Sequence, residues 1–191
     1  MIVSKWLVRQ ETPADFSEIE QMQAEAFGPA RFERTAFKIR EGVQQASQLC
    51  FVGELNGEIA GSVKLTPIMI GNSQSMLLGP LTVKAAYKGQ GLGRLLLTTV
   101  AAEAKTQGVQ SILLVGDHPY YGPHGYEQVP HGQITLPGPV DLDRLLVLKL
   151  QGGQMPTGAV VGGYVKPALV ATKQSDSQLV DVMQGSLAMA T

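Results

Sequence analysis

Apolar residues alternate weakly over positions 3–9, the period of a first strand. Thr12-Pro13-Ala14-Asp15 then reads as a helix start, with Thr12 as N-cap, Pro13 in the first helical position and an acid in the first turn. Phe16, Ile19, Met22 and Ala26 follow at helical spacing, interrupted by the polar Gln23. A second helix is predicted from Phe32, Ala36, Ile39, Val43 and Ala46. Two apolar runs, Leu49–Leu55 and Glu58–Leu65, flank Asn56-Gly57, the dipeptide that best tolerates the positive φ pair of a type I′ turn, and so predict a β-hairpin. Gly71-Asn72-Ser73 marks the next turn, between Ile68–Ile70 and a strand ending near Val83.

Beyond Val83 the pattern changes from strands to a helix. Leu92, Leu95, Leu96, Val100 and Ala104 form an amphipathic stripe, with Gly108 placed to stop it as a left-handed C′ residue. Ile112-Leu113-Leu114-Val115 is a continuous apolar run, suited to a strand buried on both faces. Strand, helix, strand in this order is a βαβ unit with a right-handed parallel crossover. Residues 116–139, rich in Gly, Pro, His and Tyr, read as a structured loop region beside a site. Leu145–Leu150 and Ala159–Val165 supply two last strands. The predicted fold is therefore α/β: a mixed sheet of about seven strands with one parallel crossover, flanked by helices. Its domain spans 1–171. A polar tail, 172–191, follows, in which Ser175-Asp176-Ser177-Gln178 has capping-box spacing before a short helix through Leu179, Val182 and Met183. With few apolar positions to bury, the tail is expected to be dispensable for folding.

Composition narrows the function. The 191 residues are 44% hydrophobic, enough for a sizeable core, and only 16% charged. The 22 glycines and 11 prolines fall between apolar runs, as turns do. A net charge of −1 offers no basic field for a phosphate backbone, which argues against nucleic-acid binding. No run reaches the length of a membrane span, and Lys5 and Arg9 interrupt any secretory h-region, so a cytoplasmic location and no membrane partner are expected. The single cysteine, Cys50, lies in a predicted strand and reads as a buried small hydrophobe. His118, His124 and His131 lack further ligands nearby, so no metal site is predicted.

Chemistry concentrates in the segment Lys88-Gly89-Gln90-Gly91-Leu92-Gly93-Arg94. A glycine-rich turn between a strand and a helix gathers backbone N–H groups at a helix N-terminus, which is a natural anion site. Two common nucleotide signatures fail on spacing. The dinucleotide fingerprint needs glycine at position 94, which is Arg, and a mononucleotide P-loop needs Gly-Lys-Ser/Thr at the loop end.

The loop does resemble the Gln/Arg-x-x-Gly-x-Gly/Ala motif of the GNAT superfamily of N-acetyltransferases, with Lys88 in place of the usual first residue. Leu81-x-Val83 before it and the Leu-rich helix after it are similar too. Leu78-Gly79-Pro80-Leu81, His118-Pro119-Tyr120-Tyr121 and Gly125-Tyr126 resemble the YhbS-like branch in particular, and the likeness extends over residues 3–166. It implies that loop amides bind the pyrophosphate of acetyl-coenzyme A, the cosubstrate. Leu81, Thr82, Val83, Lys88, Gly89, Gln90, Gly91, Leu92, Gly93 and Arg94 then form the cofactor-binding set. The implied partner is a small-molecule or peptide amine, and the implied assembly a monomer or homodimer.

Acetyl transfer to an amine needs a neutral amine, a donor for the oxyanion and a proton for the departing thiolate. In Tyr121-Gly122-Pro123-His124-Gly125-Tyr126 the resemblance places the Tyr121 hydroxyl near the thioester sulfur. A phenol of pKa about 10 is protonated at neutral pH and can donate there. A packed tyrosine bonded to a backbone carbonyl is the competing reading, and Tyr120 is the neighbouring alternative. Many relatives carry a glutamate on the strand before the loop, whereas Met76-Leu77-Leu78-Gly79-Pro80 has no carboxylate. Asp117 and His118 are the nearest candidate bases. The missing glutamate keeps open a non-catalytic coenzyme A-binding sensor or regulator; a purely structural module would leave the glycine loop without a purpose.

Overall fold

A computed structural model describes residues 5–43 and 47–163. In chain order, strand β1 (Leu7–Gln10) leads through a 3-10 turn at Pro13–Asp15 into helix α1 (Phe16–Phe27), and a second 3-10 turn at Pro29–Glu33 precedes helix α2 (Thr35–Arg40). Strands β2 (Cys50–Leu55), β3 (Glu58–Ile70) and β4 (Ser73–Val83) form an antiparallel meander. Asn56 and Gly57 turn the first hairpin with φ of 53° and 82°, the left-handed pair their sequence predicts. Helix α3 (Leu92–Thr106) then crosses to β5 (Ser111–Val115), which runs parallel to β4. Helix α4 (His118–Tyr121) and the short strands β6 (Glu127–Gln128) and β7 (Ile134–Thr135) lead to β8 (Leu145–Lys149) and β9 (Gly158–Gly162). The sheet order is β1-β2-β3-β4-β5-β8-β6, with β9 pairing the far end of β3 and the short β7. The seven-strand mixed sheet with one parallel crossover is therefore present, with two short strands added beside it.

Helices cover both faces. The stripe Leu92, Leu96, Leu97, Val100 and Ala104 of α3 packs on Leu65, Leu78, Ile112, Leu114 and Leu146, each side chain contributing roughly 1.5–3 kcal/mol through burial when it is a full-sized aliphatic. Gly108 closes α3: its N–H reaches the Lys105 carbonyl, and the Val109 N–H reaches that of Ala104, a Schellman cap. On the opposite face Ile19 and Met22 of α1 cover Val52 and Ile59. Ile39 of α2 joins Ile68, Leu77, Leu113 and Val147 in a second core.

Several expected boundaries shift. Helix α2 ends at Arg40, because the Val43 N–H turns back to the Arg40 carbonyl and Gly42 takes φ 72°. Val43 thus lies past the helix, and Ala46 lies outside the described residues. Strand β3 is one continuous ribbon through Pro67, longer than the hairpin arm predicted from the pattern. The tail from 172, its capping-box helix and the domain boundary at 171 lie outside the described residues, as do residues 1–4.

Candidate active site

The site starts where β4 and β5 part. Their parallel register holds at Met76 opposite Ile112 and Leu77 opposite Leu113. Beyond this point β4 bulges: against β3, Leu65 pairs with Leu78 but Val63 pairs with Leu81, so β4 carries an extra residue around Gly79-Pro80. The separated strand ends, Leu78–Leu81 on one side and Leu114–Asp117 on the other, line a cavity of about 630 Å³ that is closed by α1, α2 and the tyrosines of α4. A pocket of this size suits a small metabolite.

The glycine loop stands at the other end of the β4 opening. Gly89 and Gly91 adopt φ of 75° and 89°, and a Cβ at either position would meet nothing within 4 Å. Both conformations favour glycine, and the space before them is open to an anion. The Leu95 N–H donates to the Gly91 carbonyl at 3.0 Å, so the preceding amides of the first turn of α3 have no intrahelical partner. The loop is held from behind. The Trp6 indole N–H donates to the Gln90 carbonyl at 3.2 Å, the Gln90 side chain donates to the Ala86 carbonyl at 2.9 Å, and Lys5 Nζ donates to Gln90 Oε1 at 2.5 Å.

These contacts sort the predicted cofactor set. Gln90 is occupied in bracing the loop. Leu92 is buried, and its methyls fill a dent in the sheet: a Cβ on Gly53 would lie 2.4 Å from Leu92 Cδ1, and one on Gly61 3.1 Å from Cδ2. Gly53 and Gly61 face each other across β2 and β3. Leu92 can thus offer a ligand only its amide. Thr82 is buried in the sheet, so its side chain is withdrawn as well, whereas Leu81 lines the cavity. Val83 packs against the α3-side core. Lys88 and Arg94 are exposed at the two ends of the loop. At Gly93 the constraint is protein, not open space, since a Cβ there would stand 2.7 Å from the Tyr120 hydroxyl.

Of the predicted chemical residues, Asp117, Tyr120 and Tyr121 line the cavity together, and His118 does not. The exposed His118 ring lies over Gly122, where a Cβ would approach it to 2.9 Å. Asp117 Oδ1 forms an ion pair with Arg144 Nε at 3.0 Å. Tyr121 packs edge-on between Tyr120 and Tyr126, with ring centroids 4.9 and 5.6 Å away. Its ring passes over Gly116, where a Cβ would come within 2.3 Å. Neither the Tyr120 nor the Tyr121 hydroxyl hydrogen-bonds to a described residue, which leaves both free to meet a ligand. Burial pushes the Tyr121 phenol up to about 12, with Tyr120 and Asp117 adding to the rise, so it holds its proton at neutral pH. Burial likewise raises Tyr126, whose hydroxyl is enclosed without a hydrogen-bond partner among the described residues.

Sequence reasoning missed the arginines. Arg31, Arg34, Arg40 and Arg144 come to one cavity from segments more than 100 residues apart, against two carboxylates, Asp117 and Asp141. No periodicity signals such a cluster. Cys50 is buried beside the Glu11–Lys64 pair, and burial raises its thiol to about 11, which suits a packing role. Among the described residues no three His, Cys, Asp or Glu side chains gather as a metal site, and no helix is long and apolar enough to cross a membrane.

Comparison with known proteins agrees with this architecture. Residues 15–125 match the model of the acetyltransferase (GNAT) family, a stretch that includes both the glycine loop and Tyr121. Two Escherichia coli proteins are similar. The uncharacterized N-acetyltransferase YjhQ is 27% identical over 118 residues, 60% of this chain and 65% of YjhQ, so the match spans just under two thirds of that relative. The uncharacterized N-acetyltransferase YhbS is 24% identical over 135 residues, 70% of this chain and 80% of its own. The crystal structure of E. coli YhbS in complex with CoA superposes with a TM-score of 0.69 at 24% identity, covering 83% of this chain and 89% of that one. A GNAT family acetyltransferase from Brucella melitensis, solved in complex with acetyl-CoA, gives 0.64 at 26% identity, covering 83% and 96%. With the family match extending over more than half of its length, from the start of α1 through the loop to the tyrosines, the chain belongs to the acetyltransferase (GNAT) family.

Proposed function

We propose that this protein is an acetyl-coenzyme A-dependent N-acetyltransferase that acetylates a primary amine. One observation carries the reading: the gap between β4 and β5 joins an open glycine loop to a cavity holding a protonated tyrosine. The Brucella relative, 26% identical and solved with acetyl-CoA, supports the same cosubstrate here. The residues present fit it. The amides of Gly89, Gly91, Gly93 and Arg94 would face the pyrophosphate, with Lys88 and Arg94 side chains adding charge. The backbone of Leu81 and Val83, on the part of β4 that β5 leaves unpaired, would pair with the amide-bearing arm as an added strand does. Bound there, the cosubstrate supplies an activated acetyl thioester.

The chain's own groups then handle protons and position. As the amine nitrogen bonds to the acyl carbon and the carbon–sulfur bond breaks, Tyr121 gives its phenolic proton to the departing sulfur and regains one from water. Tyr120, lying against Gly93, aligns the Tyr121 ring through their edge-on contact. Asp117 is tethered to Arg144, and His118 lies off the cavity, so neither is favoured as the base. Loss of the amine proton to water, through the mouth of the cavity, fits the lining better. The test is a calorimetric titration with coenzyme A, followed by acetyl-coenzyme A consumption against a mixed amine panel. Binding with turnover of at least one amine is expected.

A second reading, a coenzyme A-binding regulator without transfer, is favoured by one feature: the walls of the cavity carry no carboxylate on β4. Tight coenzyme A binding with no amine consumed would select it.

A further inference from the structure

The lining charges of the cavity are not balanced. Arg144 meets Asp117 at 3.0 Å, and Arg31 meets Glu20 at 3.6 Å. Arg34 is exposed and lies over the Phe27 ring, 5.2 Å from its centroid. The Asp141 carboxylate is turned onto the Asp143 N–H at 3.1 Å. Arg40 differs from all of these. Its Nε is buried with no hydrogen-bond partner among the described residues, and no carboxylate of those residues pairs with it. Burial alone draws its pKa down to about 10, with no anion acting against the shift.

The position of this guanidinium is as informative as its isolation. Arg40 ends α2 and lies against the β4 bulge, where a Cβ on Gly79 would stand 3.1 Å from Nη2. That bulge is where β4 leaves β5, so the unpaired cation borders the opening to the reacting end of the site. Arg40 is half-buried, with its Nε enclosed, and a cation partly withdrawn from water without a counterion is unfavourable, so a protein that needed it only for packing would be better served by an apolar side chain. Its planar fork matches a carboxylate or phosphate in two parallel hydrogen bonds.

We propose that Arg40 receives an anionic group of the acceptor, so that the substrate is an amine that also bears a carboxylate or a phosphate. The inference rests on the transferase reading for the word acceptor, and on the lining of the cavity for the anion. Four arginines against two aspartates also disfavour polyamines, whose second positive charge would face this wall.

The test is direct binding, measured by calorimetry on the full chain with matched pairs of amines. 4-Aminobutyrate is compared with 1-aminobutane, and phosphoethanolamine with ethanolamine. In wild type at least one anionic member should bind about tenfold or more tightly than its neutral partner, and the pair that shows it tells carboxylate from phosphate. Arg40→Met should erase the difference, and Arg40→Lys should retain part of it. Without ligand, Arg40→Met should melt at the wild-type temperature or above, since an uncompensated charge has been removed. Equal binding within both pairs, or an anionic advantage that survives Arg40→Met, would overturn the proposal. So would a marked fall in the melting temperature of Arg40→Met, which would show that the protein itself holds the guanidinium. Anion-selective binding without any acetyl-coenzyme A consumption would defeat the transferase reading and leave the anion site standing; turnover confined to neutral amines would do the reverse.

Discussion

The Tyr120 hydroxyl lies 2.7 Å from where a Cβ on Gly93 would be. A glycine in the loop we propose to bind phosphate is thereby explained by a tyrosine from α4, not by a ligand. Gly93→Ala should therefore cost stability in wild type and little or none in a Tyr120→Phe background, where the opposing oxygen is gone. A double-mutant cycle should give a coupling of about 0.5–1 kcal/mol. Equal costs in the two backgrounds would refute the contact.

Gly91 makes the opposite case. Its neighbourhood is open but its φ is 89°, so Gly91→Ala should cost about 1–2 kcal/mol through backbone strain whatever stands at Tyr120. Gly91→Glu should in addition abolish coenzyme A binding, by placing a negative side chain before the loop amides. Calorimetry that shows unchanged affinity would move the site away from this loop.

Leu92 couples that loop to the sheet. Leu92→Ala should destabilise the fold by about 2–4 kcal/mol, as a fully buried leucine does, and should also weaken coenzyme A binding because the loop loses its anchor. Gly53→Ala should mimic the second effect by driving the Leu92 methyl out of its dent. Denaturant melts and titrations on both variants check this.

Tyr121→Phe should leave coenzyme A affinity intact and lower single-turnover acetyl transfer by roughly 10²–10⁴-fold. Stability should change little at neutral pH, since the hydroxyl bonds to no described residue. At alkaline pH the sign is defined. The folded-state pKa of about 12 lies above the ordinary 10, so stability is full below pH 10 and falls as pH rises from 10 through 12. Part of that fall should be missing in Tyr121→Phe.

The acid limb belongs to Asp15. Arg9 donates to its two carboxylate oxygens at 2.7 and 2.8 Å, and the Thr12 N–H adds a third bond at 2.7 Å. Arg9 first, with Thr12 in support, holds the Asp15 carboxyl well below the usual carboxylate range. The resulting stability is complete above about pH 4 and is lost as pH falls below it. Arg9→Gln should lower stability by about 2 kcal/mol at pH 7 and flatten this dependence, as acid melts would show.

The amino-acid sequence by itself determined the elements whose causes are local. Asn56-Gly57 dictates a turn because only residues at ease with positive φ fit there, Gly108 ends α3 for the same reason, and the Leu-rich stripe declares a helix by its period. The loop glycines and Tyr121 stand out as candidates in the sequence because their order along the chain is itself the pattern. Tertiary structure decided the rest. It withdrew Thr82 and the Leu92 side chain into the core, occupied Gln90 in bracing the loop, removed His118 from the cavity and tied Asp117 to Arg144. It also set Gly116 beneath Tyr121 and brought Arg40 to Gly79, where β4 bulges away from β5. These relations join residues far apart in sequence, and neither period nor propensity carries any trace of which distant side chain will fill a given space.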